Sequence, residues 1–169
     1  TITADEDMVF LFKWESDGTG EGEFWEPVAV ALDGRGHVFV LEFPNNSPLT
    51  NHRIQKFDTE GSFLAKWGSK GTGDGQFMFP AGLAVDAHGN VYVADGHNHR
   101  IQKFDADGNF LVLYSGLLVC TSTGLQSIQL IVPDGAGGGI VVWVDYRRGS
   151  TNEIFALKIE YYGFGQWTW

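Results

Sequence analysis

The chain carries two copies of one long motif, and this repetition limits what it can fold into more than any other property. Phe10 opens FLFKWESDGTGEGEFWEPVAVALDGRGHVFVLEF, and Phe63 opens FLAKWGSKGTGDGQFMFPAGLAVDAHGNVYVADG. Trp14/Trp67, Gly22/Gly75, Phe24/Phe77, Pro27/Pro80, Asp33/Asp86, Gly36/Gly89 and Val40/Val93 all lie 53 positions apart. Further on, NHRIQKFD at Asn51 to Asp58 recurs at Asn98 to Asp105 with a spacing of 47, so the first copy holds six extra residues between Phe43 and Asn51. A unit of this length builds its core by stacking on its neighbours.

Within each copy the apolar residues alternate over short stretches: Val28, Val30 and Leu32; Val38 and Val40; Phe63, Ala65 and Trp67. Gly, Asp and Asn clusters separate these stretches, and no helical periodicity intervenes. Such punctuation predicts strands of roughly 4–8 residues joined by turns. About four strands per repeat of roughly 45 residues is the pattern of a β-propeller blade, an all-β unit of four antiparallel strands.

The run GTGDGQF, then Pro80, GLAVD, GNVYVAD, NHRIQKFD and the Phe110-Leu111 pair resembles an NHL repeat, and residues 10–66 resemble a second one. That resemblance implies strands at 28–32, 37–42, 53–58 and 63–67 in the first blade. In the second it implies strands at 82–85, 90–95, 100–105 and 110–113. Residues 118–169 depart from the pattern: DGAGG at Asp134 and VVWVDYR at Val141 resemble the DGxGG/VxWxDxR repeats of secreted bacterial proteins. We expect a divergent third blade there, with Tyr161 to Trp169 as its outer strand or the start of a fourth. The expected organisation is one domain over 1–169, with an outer strand at 9–14, NHL blades at 24–67 and 77–114, and the third blade at 118–169.

About three blades fall short of the four to eight that close a ring. The expected architecture is therefore a partial propeller, or half of a ring completed by another chain. Open blade edges carry unpaired N–H and C=O groups that invite such pairing. Self-association or a larger protein assembly is the expected consequence.

Charge narrows the partners. Eleven Lys and Arg stand against 21 Asp and Glu, a formal net charge of −10. Phosphate neutralisation needs clustered cations, so nucleic acid is not an expected partner. No apolar run approaches the roughly 20 residues of a membrane helix, so membrane insertion is not expected, and no N-terminal signal is read.

Several side chains invite a functional reading. Asp95 and Arg100 flank one loop, and Glu42 and Arg53 are their counterparts; each pair is expected to join within its blade, because a half-buried Arg favours a bidentate acid. His52 and His99 share one repeat position, which predicts a structural role, while His37 and His88 fall at turns and His97 begins a loop. No three histidine or acidic ligands converge in the sequence, so no metal site is expected. Calcium at Asp105 to Asn109 is the one cofactor considered; the spacing matches half of a calcium loop but lacks the closing Glu, and a hairpin turn fits better. The lone Cys120 reads as a buried apolar residue.

Two segments are expected to make contacts. The insertion contributes Asn45, Asn46, Ser47 and Leu49, with Asn45 in a glycosylation sequon followed by Pro48. The tail Tyr161, Tyr162, Phe164, Trp167 and Trp169 is too aromatic to stay solvated and is expected to pair or dock. The function expected is a non-catalytic protein-interaction or scaffolding module, extracellular or on the cell surface. The alternative is a metal-dependent lyase or lactonase-type propeller enzyme with a site in the central channel.

Overall fold

Asp-x-x-Gly turns set the strand boundaries, and among the described residues the same turn occurs at Asp33, Asp58, Asp86 and Asp105. At each, the Gly N–H donates to the Asp carbonyl three residues back, and the Asp N–H donates to the carbonyl four residues on. The Asp Oδ1 accepts the N–H groups two and four residues on, at 2.7–3.0 Å. The Gly closes the turn in the left-handed region; Gly108 has φ 86°, where a side chain would be strained, and a Cβ there would meet the Trp67 ring at 2.5 Å.

The computed structural model describes residues 13–14, 16–44, 51–115, 126–133, 139–145 and 153–159. The expected strand over 9–12, the insertion with Asn45, Asn46, Ser47 and Leu49, Cys120, and the tail with Tyr161, Tyr162, Phe164, Trp167 and Trp169 lie outside these residues. Lys13 and Trp14 are described and are not in a strand, which corrects the end of the expected outer strand.

The chain forms antiparallel β-propeller blades. The first sheet orders β1 (Pro27–Leu32), β2 (Val38–Glu42), β3 (Arg53–Phe57) and β4 (Phe63–Trp67) from one edge to the other. Two short strands, β5 (Ser69–Lys70) and β6 (Gln76–Phe77), pair in parallel and close the glycine-rich loop between the blades. The matching loop of the first copy closes with a parallel bridge between Asp17 and Phe24. The second sheet orders β7 (Pro80–Val85), β8 (Val91–Asp95), β9 (Arg100–Phe104) and β10 (Phe110–Ser115). A third sheet holds β11 (Gln126–Pro133), β12 (Gly139–Asp145) and β13 (Glu153–Ile159). In the two repeats the strands fall within two residues of the positions the resemblance implies. The parallel β5–β6 pair was not foreseen, because two-residue strands leave no alternation to read.

β7 lies between β1 and β11, so three sheets follow one another along their inner strands. Between the first two sheets sits one core: Phe39, Leu41 and Ile54 from the first, Leu83, Val85, Val91, Val93 and Phe104 from the second, and Phe77 from the connecting loop. The opposite face of the second sheet is buried as well, through Ala84, Tyr92, Ala94 and Ile101, on the side where β11 approaches. Among the described residues no helix is long and apolar enough to cross a membrane.

The turn carboxylates tie this framework to pH. Burial pushes the Asp33 and Asp105 carboxyls up, and hydrogen bonds outweigh it: His37 with the Arg35 and His37 N–H groups at Asp33, Asn109 with the Asp107 and Gly108 N–H groups at Asp105. Both therefore stay below the ordinary 3.8. A folded-state value below the unfolded one contributes stability that is complete above the ordinary value and is lost as pH falls through the folded value. The urea midpoint of the Asp33→Asn/Asp105→Asn variant should thus fall less between about pH 5 and about pH 2.5 than that of the parent chain. Parallel curves would show that these turns contribute nothing to acid sensitivity.

Candidate interaction surface

Each repeat fixes its glycine-rich loop with one buried arginine. Arg100 Nε donates to Asp95 Oδ2 at 2.7 Å, and its two terminal nitrogens donate to the carbonyls of Thr72, Gly73 and Gln76 at 2.6–2.8 Å. Arg53 repeats this with Glu42 Oε1 at 2.8 Å and the carbonyls of Thr19, Gly20 and Glu23. Both carboxylates are fully buried. Asp95 also accepts from the Met78 N–H, Asn98 Nδ2 and Gln102 Nε2, and Glu42 from the Trp25 N–H, Asn51 Nδ2 and Gln55 Nε2. A carboxylate holding so many partners serves the fold, since its lone pairs are engaged. Asn51/Asn98 and Gln55/Gln102 were missed as members of these networks, although their identity in NHRIQKFD was the signal available.

The histidines divide by neighbourhood. His37 Nδ1 lies 2.7 Å from Asp33 Oδ2 in a turn. His97 is exposed and stacks on Phe79 with ring centroids 4.0 Å apart, and Phe79 in turn meets Phe43 at 4.6 Å. His52 is buried beside Phe43, while His88 and His99 are exposed. Among the described residues no three His, Cys, Asp or Glu side chains are placed to hold a metal ion. At Asp105 both carboxylate oxygens accept donors of its own turn, Oδ2 from Asn109 Nδ2 at 2.8 Å, so the geometry there is that of the hairpin.

The repeat itself exposes the unusual surface. Leu83 and Val85 are 7% and 6% exposed beneath the first sheet, whereas their counterparts Val30 and Leu32 are 62% and 60% exposed, and Val28 beside them is 44%. Strand alternation explains the difference. Ala29 and Ala31 of β1 point into the inter-sheet core, so Val30 and Leu32 point to the other face, while Val28 sits where the β1–β2 register shifts. That face carries a groove of about 620 Å³ lined by Trp14, Phe24, Glu26, Pro27, Val28 and Val30.

The outer part of the same face is covered. Trp14 lies 4.6 Å from Phe57 and 5.6 Å from Phe24, and its Nε1 donates to the Gly61 carbonyl at 3.0 Å. Trp67, its counterpart at the end of β4, sits 6.2 Å from Phe104 and against Gly108 of the second sheet. Trp14 therefore occupies the station, relative to the first sheet, that the end of a fourth strand occupies relative to the second.

Residues 77–104 match the sequence model of the NHL repeat. Relatives include the brain tumor protein of Drosophila melanogaster, 36% identical over 78 residues, which are 46% of this chain and 7% of that protein. Another is the B-box type zinc finger protein ncl-1 of Caenorhabditis elegans, 41% identical over 56 residues, 33% of this chain and 6% of that one. Among solved structures, the calcium-binding protein regucalcin from Agrobacterium tumefaciens aligns with TM-score 0.45 and 13% identity, over 76% of this chain and 41% of that one. A streptogramin B lyase aligns with TM-score 0.43 and 16% identity, over 78% and 54%. The chain thus spans a small part of the curated relatives it matches.

Proposed function

We propose that this NHL-repeat chain is a non-catalytic protein-interaction module whose contact surface is the open face of its first blade. The observation that carries the proposal is the exposure of Val30 and Leu32 where their repeat counterparts Leu83 and Val85 are buried, with Val28 exposed beside them. Three branched aliphatic side chains on a rigid strand, beside an apolar groove, are a surface that protein contacts cover. The acid Glu26 on the groove margin and the net charge of −10 favour partners that bring cationic margins to an apolar centre. The location proposed with this role is the cell exterior or surface, and it rests on the likeness of residues 118–158 to secreted repeats.

A photoreactive benzoylphenylalanine at position 30 of the protein, irradiated in its own host, tests the reading. The expected result is a discrete polypeptide adduct that is absent when the probe replaces the exposed Thr59 and is lost with Leu32→Glu. Equal labelling at 30 and 59, or none at 30, would overturn it.

A further inference from the structure

We propose that Phe43, Phe79 and His97 form a second contact site, which takes an arginine side chain of a protein partner at the junction of the first two blades. This site goes beyond the reading above and shares only Glu26 with the groove of the first blade. Two strained residues mark it. Glu26 and Phe79 share one repeat position, immediately before Pro27 and Pro80, and both hold left-handed backbone, with φ 50° and 48°. Glycine adopts that conformation freely, whereas a large side chain there is strained. Neither side chain is retained for the core, since Glu26 is exposed and Phe79 only half-buried.

The shared backbone places these two side chains at equivalent stations on neighbouring blades, with Phe43 between them. The Phe43 N–H donates to the Glu26 carbonyl at 3.3 Å, and its ring meets that of Phe79 at 4.6 Å. His97 completes the row: it is exposed, and its ring lies 4.0 Å from that of Phe79 and within 28° of parallel. Backbone contacts fix this stack before any partner arrives. The His97 N–H donates to the Met78 carbonyl at 3.0 Å, and a Cβ on Gly96 would meet the Phe79 carbonyl at 2.8 Å. Asp95 accepts from both the Met78 N–H and Asn98 Nδ2, which ties together the neighbours of the two stacked rings. A row aligned in advance has little ordering cost at binding.

Its chemistry selects the occupant. Ring faces attract cations, and a guanidinium is flat, so it can lie on a ring as the His97 imidazole lies on Phe79. Glu26 brings a carboxylate to the Phe43 end of the row, and the net charge of −10 draws cationic partners toward it. Arg53 and Arg100 are buried and bonded to Glu42, Asp95 and loop carbonyls, so neither serves these rings from within the chain.

A nuclear magnetic resonance titration of the 169-residue chain with acetyl-Gly-Arg-Gly-amide tests the site, with the neutral citrulline peptide as control. The arginine peptide should shift the His97 ring and Gly96 amide signals saturably. It should bind about tenfold tighter than the citrulline peptide, the combined effect of a cation–π contact and an exposed ion pair. Glu26→Gln and His97→Ala should each weaken it about threefold, read at the Gly96 amide. Phe79→Gly should weaken it at least about fivefold, yet keep the urea midpoint within about 0.5 M of the parent, because relieved strain offsets the lost ring contacts. If that variant fails to fold, His97→Ala, at an exposed position, carries the test alone. Equal affinity for the arginine and citrulline peptides, equal affinity for the corresponding lysine peptide, shifts that do not saturate, or indifference to His97→Ala would each overturn the proposal. Leu32→Glu should leave the titration unchanged, which separates this site from the open face of the first blade.

Discussion

Replacing Arg100 with Met should lower stability by about 3–5 kcal/mol, the range expected when one partner of a buried ion pair is removed and the other stays behind. Asp95 is fully buried, so its charge cannot recover water, and the carbonyls of Thr72, Gly73 and Gln76 lose their donors in the same step. Against a typical total of about 5–15 kcal/mol and a urea slope of about 1–3 kcal/mol per molar, the midpoint should drop by more than about 1 M. Arg100→Lys should recover only part of this, because a single ammonium group cannot reach a carboxylate and three separate carbonyls in the directions a guanidinium does. The double variant Asp95→Leu/Arg100→Met separates the causes. It removes the stranded charge and should regain stability over Arg100→Met, but it leaves the loop carbonyls without donors and should stay below the parent. A loss under about 1 kcal/mol in Arg100→Met would mean that the loop holds its shape without the guanidinium.

The sequence made this network half legible. Asp95 and Arg100 could be paired from their positions around one loop, and recurrence of the pattern at Glu42 and Arg53 marked it as structural. What could not be read was the remainder of the arginine's hydrogen bonding, because Thr72, Gly73 and Gln76 contribute backbone carbonyls, which every residue has. The strands of the two repeats were legible for a physical reason: alternation and Asp-x-x-Gly turns are local signals, each contained within a few residues. The open face was not. Val30 and Leu32 alternate as regularly as their buried counterparts Leu83 and Val85, and only the placement of neighbouring sheets separates a covered strand from a bare one.

Phe104→Ala carries the other large effect, about 3–5 kcal/mol, the usual cost of truncating a buried aromatic side chain. Phe104 is 1% exposed and meets Trp67 at 6.2 Å, Phe77 at 5.8 Å and Phe110 at 5.9 Å, so its removal empties a space shared by both sheets and the loop between them. The first sheet contributes Phe39, Leu41 and Ile54 to this core and the second contributes most of the rest, which leaves neither with a separate interior here. Repeat architectures are held by such nearest-neighbour interfaces, and a pair of sheets that shares one core should unfold as one unit. Tryptophan fluorescence, to which the indole of Trp67 reports on the interface, and far-ultraviolet circular dichroism, which reports on all strands, should therefore shift together to lower urea in the variant. Leu64→Ala supplies the contrast: at 47% exposure it should change the stability of the chain by no more than about 0.5 kcal/mol. Should the fluorescence transition move while the dichroism transition stays in place, the two sheets would be separate folding units, and the core between them a contact of lesser consequence than its burial implies.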